Sequence, residues 1–83
     1  MKFNFRPQGV CSRALSFDIE DGLVKNVAFQ GGCNGNLKGI AALSEGKTPE
    51  ELIKALSGIR CGFKSTSCPD QLAKALENAI NEN

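Results

Sequence analysis

Arg13-Ala14-Leu15-Ser16-Phe17-Asp18-Ile19-Glu20-Asp21-Gly22-Leu23-Val24-Lys25-Asn26-Val27-Ala28-Phe29-Gln30 is the stretch on which the fold turns. Leu15, Phe17 and Ile19 recur at every second residue, the alternation of a strand with one face buried. Asp21-Gly22 follows where that alternation stops. Both central residues of a type I′ turn need positive φ, and an Asp-Gly pair accommodates it. The chain then returns with Leu23, Val27 and Phe29 on one parity. A hairpin at about 13–30 is expected. Upstream, Phe3 and Phe5 alternate with polar neighbours and extend the β reading towards the start of the chain.

Downstream of Gly31-Gly32 the period changes. Leu37, Ile40, Ala41 and Ser44 fall at helical spacing, and Gly46-Lys47 stops that helix. Thr48-Pro49-Glu50-Glu51 opens a second, with Thr48 as cap, Glu51 closing the capping box and Pro49 in the first turn. Its apolar face is Leu52, Ile53 and Leu56, and it ends at Gly58. Ser67-Cys68-Pro69-Asp70 opens a third, whose face is Leu72, Ala73, Leu76 and Ile80. Strands first and helices after predict an α+β fold. A small antiparallel β-sheet would be covered on one face by about three helices, in a single domain over 1–83.

Composition then limits the chemistry. The chain has 83 residues, four cysteines, no histidine, and ten Lys plus Arg against nine Asp plus Glu. Without histidine, Ser-His-Asp and Cys-His catalysis and mixed Cys/His zinc fingers are excluded. A net charge of +1 gives no basic stripe for a nucleic acid. No apolar run reaches the ~20 residues of a membrane span, and no secretion signal is recognised at the start, so a cytoplasmic, thiol-reducing setting is expected. Four cysteines then read better as a metal or redox site than as two disulfides.

Each cysteine sits at a junction. Cys11 precedes the hairpin, Cys33 lies in the strand-to-helix turn, Cys61 is in the loop before the last helix, and Cys68 opens that helix. In an antiparallel sheet with helices on one side, such junctions are able to gather at one end. Five of the nine glycines, Gly9, Gly31, Gly32, Gly35 and Gly62, lie within two residues of a cysteine. An even spread would place about two there, and glycine permits the tight turns that aim backbone N–H groups at sulfur. A cysteine opening a helix also meets the positive end of its dipole, which favours the thiolate. Against this stands the reading of thiols as small inert core residues. That reading fits strand and helix interiors better than element ends. Tetrahedral Cys₄ sites hold zinc and iron–sulfur centres alike. The spacing has no ferredoxin pattern, so zinc is the expected metal and an iron–sulfur cluster the alternative.

Thr66-Ser67-Cys68-Pro69-Asp70, followed by Gln71-Leu72-Ala73 and supported by Gly32-Cys33-Asn34-Gly35-Asn36, resembles the TSCPD domain family, which takes its name from that pentapeptide. Nearly the whole chain is similar to its small stand-alone, four-cysteine members. The resemblance implies that Cys11, Cys33, Cys61 and Cys68 form one metal site. Larger members form a C-terminal segment of adenosylcobalamin-dependent ribonucleotide reductases. That implies an alternative: an accessory or redox partner of ribonucleotide reduction, using Cys61 and Cys68 as an exchangeable dithiol. A chain this short is not expected to be an enzyme alone.

From Gly9 to Ile80 the order also resembles iron–sulfur scaffolds of the NifU/IscU type, with Cys11, Gly32-Cys33, Gly46-Lys47-Thr48 and Cys68 at matching places. Arg13 and Ser67 stand where those scaffolds have an Asp and a His, and Cys61 is extra. The scaffold or carrier reading would bring iron–sulfur machinery as partner, whereas the added thiolate points to a closed site.

Overall fold

The computed structural model describes residues 2–7, 9, 12–31, 34–60 and 66–81. Three strands precede three helices: β1 (Lys2–Phe5), β2 (Ser12–Glu20), β3 (Leu23–Gly31), α1 (Asn34–Ser44), α2 (Pro49–Leu56) and α3 (Cys68–Asn81). The sheet is antiparallel throughout, with β2 between β1 and β3. This is the α+β fold that the alternation and the helical periods predict. The turn at its centre has Asp21 at φ 53° and Gly22 at φ 77°, the positive pair a type I′ turn requires.

One parity is corrected. Leu23 is only half-buried, whereas Val24 is fully buried. Ser16 pairs with Ala28 but Asp18 pairs with Lys25, so β3 carries one extra residue there. Asn26 takes the strain at φ 55°. An extra residue reverses which side chains face inward. Val24 and Val27, an odd number of residues apart, therefore both reach the core. The inward row is Phe3 and Phe5 from β1, Leu15, Phe17 and Ile19 from β2, and Val24, Val27 and Phe29 from β3. Phe3 lies opposite Phe17, their rings stacked at 5.4 Å.

The three described helices lie on that face. α1 lies against β3, and α2 against α3. The turn after α1 is bound to the outer edge of β3: Val24 N–H donates to the Lys47 carbonyl (2.7 Å), and Gly46 N–H donates to the Val24 carbonyl (2.8 Å). Glu45 accepts from the Asn26 N–H at 2.9 Å and meets Lys25 Nζ at 3.8 Å. In α1 the apolar face includes Ser44, whose buried hydroxyl donates to the Ile40 carbonyl at 2.7 Å and is thereby satisfied. The capping box of α2 is formed as expected, Glu51 N–H donating to Thr48 Oγ1 and Thr48 N–H to Glu51 Oε1. α3 is the most buried helix. Leu72, Ala73, Ala75, Leu76 and Ala79 are all within the core, a wider face than the four-residue stripe of the sequence suggests. Among the described residues, no helix is long and apolar enough to cross a membrane.

Candidate functional site

Cys68 is the first residue of α3 and is half-buried. Cys11, Cys33 and Cys61 lie outside the described residues. Among the described residues, no three Cys, Asp or Glu side chains gather as a metal group. Any four-thiolate set therefore draws on positions beyond them.

What the structure does describe is the chain beside each cysteine. Ser12, next to Cys11, pairs with Gly31, two residues before Cys33. Gly9, two residues before Cys11, lies against Thr66, two before Cys68: a Cβ on Gly9 would come within 3.3 Å of Thr66 Cγ2. Gly9 has φ +73°, so both its backbone and its neighbour favour the absence of a side chain. Ile59, two residues before Cys61, accepts a 2.6 Å hydrogen bond from the hydroxyl of Ser67, one before Cys68. Three contacts thus connect the neighbourhoods of all four cysteines, which come from three junctions of the chain: β1–β2, β3–α1 and, for Cys61 and Cys68, α2–α3.

The start of α3 is held by a buried polar cluster. Ser67 caps the helix, its Oγ accepting from the Asp70 N–H at 3.2 Å while donating to Ile59. Asp70 is 4% exposed and accepts from three directions. The Gly58 N–H reaches Oδ1 at 2.7 Å, and Oδ2 receives the Thr66 hydroxyl and, at 3.2 Å, Lys74 Nζ. Gln71 Nε2 donates to Thr66 Oγ1 at 3.0 Å. The Thr66 hydroxyl, followed by the Gly58 N–H, holds the Asp70 carboxyl below its ordinary value; burial opposes them and Lys74 assists. Among the described residues, no buried side-chain polar atom is left without a partner. This cluster ties the first turn of α3 to the end of α2 and so sets where Cys68 stands.

From sequence, Ser67 and Asp70 read as a helix start and Thr66 only as the first residue of the pentapeptide. Their joint role shows only when the chain turns back on Gly58 and Ile59. The one local signal is the Ser-x-x-Asp spacing, which places an acceptor at the cap and a carboxylate one turn in.

Comparison with known proteins adds one match. The family model described as the TSCPD domain matches residues 2–80. No curated protein matches the chain, and no solved structure does.

Proposed function

The chain belongs to the TSCPD domain family, and from that premise we propose that it is a small metal-binding domain whose ligands are the thiolates of Cys11, Cys33, Cys61 and Cys68. The observation that carries this reading is the linkage of the four cysteine neighbourhoods through Gly9–Thr66, Ser12–Gly31 and Ile59–Ser67. The donor chemistry fits as well. In a chain without histidine an all-sulfur set is the natural soft site, and it suits zinc first and an iron–sulfur cluster second. Bound there, the metal would supply a cross-link between the start of β2, the β3–α1 turn, the α2–α3 connection and the first turn of α3. The chain's own part is to aim the sulfurs. Ser67, Thr66 and Asp70 hold the first turn of α3, and Gly9 allows the close approach of the segment before Cys11.

The test is elemental analysis with visible absorption on full-length protein purified without chelator. About one zinc per chain is expected for a single tetrahedral Cys₄ site. A brown, absorbing protein selects the cluster instead. Folded protein without zinc or iron overturns the proposal. Thiol titration separates the alternative role in ribonucleotide reduction. A metal site shields all four thiols until chelation, whereas a redox dithiol at Cys61 and Cys68 leaves one fast-reacting thiol from the outset.

A further inference from the structure

Among the described residues, no second layer covers the face of the sheet turned away from the helices, and that face is not a plain solvated surface. Asn4, Ser16 and Ala28 form one cross-strand row, and Ala14 lies opposite Gln30 beside it. Small side chains in the middle leave a hollow of about 360 Å³, rimmed by Arg6, Arg13, Asn4 and Gln30. Among the described residues, no Asp or Glu lines it. Among the described residues neither guanidinium forms an ion pair with a carboxylate. On its other side Arg6 borders a second cavity, with Lys74 and Glu77, whose opposite charges offset each other.

Arg13 reaches this hollow through a backbone irregularity. Strict alternation from Leu15 would turn Arg13 inward with the core row. The register slips between Ser12 and Ala14, however, leaving Arg13 as the extra residue of a bulge, and its side chain is exposed and lines the outer hollow. Bulges of this kind re-aim single side chains. Here the result is two arginines, one just past the end of β1 and one in β2, lining one concave surface.

We propose that this hollow binds a small dianionic oxyanion, phosphate or a phosphate monoester, between Arg6 and Arg13. Two guanidinium forks match the charge and the paired oxygens of such a group. Asn4, Ser16 and Gln30 add neutral donors. The hollow is larger than a bare tetrahedral anion, so the organic part of an ester fits over Ala28. The proposal is independent of the metal site, because none of these residues is a thiolate.

The experiment uses the full chain at constant metal content. Inorganic phosphate and, separately, glycerol 3-phosphate are titrated at low salt and followed by backbone amide shifts. Saturable binding with a Kd of about 1 mM is expected, with shifts centred on Asn4, Ser16 and Ala28. Arg6→Gln and Arg13→Gln should each weaken it roughly tenfold, while leaving thermal unfolding unchanged because both side chains are exposed. Tighter binding of the ester identifies a phosphorylated small molecule as the ligand, and equal binding identifies free phosphate; either supports the site. No saturation by about 20 mM, arginine variants that bind like the wild type, or shifts confined to residues around Cys68 would overturn it.

Discussion

Asp70 is the residue on which the start of α3 depends. A carboxylate 4% exposed is tolerable because Gly58, Thr66 and Lys74 all direct donors at it. Asp70→Asn keeps the shape but removes the charge these donors match, and should cost about 2 kcal/mol in urea denaturation. The pH dependence follows from the direction of its shift. A carboxyl whose folded pKa lies below its unfolded value of about 4 stabilises the fold fully above that value. The contribution is lost as pH falls through the lower, folded value. Wild-type protein should therefore lose stability in that acid window, and the Asn variant should show a flatter profile there. Cys68 would feel the same change through position, because Ser67 and Asp70 hold the turn it belongs to.

At the scale of the elements, the bulge in β3 decides how the sheet meets the core. Asn26 sits at φ 55°, and its Nδ2 donates to Asp18 across the strands at 3.0 Å. Asn26→Ala should destabilise by about 1 kcal/mol more than Asn26→Gly, since both lose the Asp18 bond but only alanine meets the left-handed backbone penalty. Thermal unfolding of the two variants measures the difference. Alternation in the sequence does not locate that bulge. The turn at Asp21-Gly22, the cap at Thr48 and the helix start at Ser67 are local chemistry, and each is found where its residues indicate. The bulge has no such local marker. Leu23, Val24 and Val27 are all apolar, so alternation cannot tell which of two registers the chain adopts, and only pairing with β2 selects one.

At the scale of the whole molecule, the fully buried side chains among the described residues are few. Phe17, Leu15, Leu72, Leu76 and Val24 are its large apolar members, a small core for the chain entropy it must offset. A metal joining three separate junctions would add folding free energy to so small a core. Removing it with a strong chelator should lower the unfolding midpoint by about 10 °C or more, with recovery on adding zinc. Cys68→Ser should show the lower midpoint without chelator and little further change on adding it. An unchanged midpoint in protein shown to have lost its metal would mean that the metal does not support the fold.

Short-range chemistry is legible in the amino-acid order: the hairpin, the cap at Thr48, the helix start at Ser67 and the apolar faces of the helices. Each depends on residues a few positions apart, where backbone preference and periodicity act directly. Tertiary structure alone decided the rest. It set the bulge that turns Val24 and Val27 to the same side, and gathered Thr66, Ser67 and Asp70 with Gly58 and Ile59. It brought Gly9 against Thr66 and directed Arg6 and Arg13 to one outer hollow. Those contacts join residues distant along the chain or select among registers of similar apolar pattern. The energies that choose between them come from burial and paired polar groups in the assembled fold, which no local window of sequence contains.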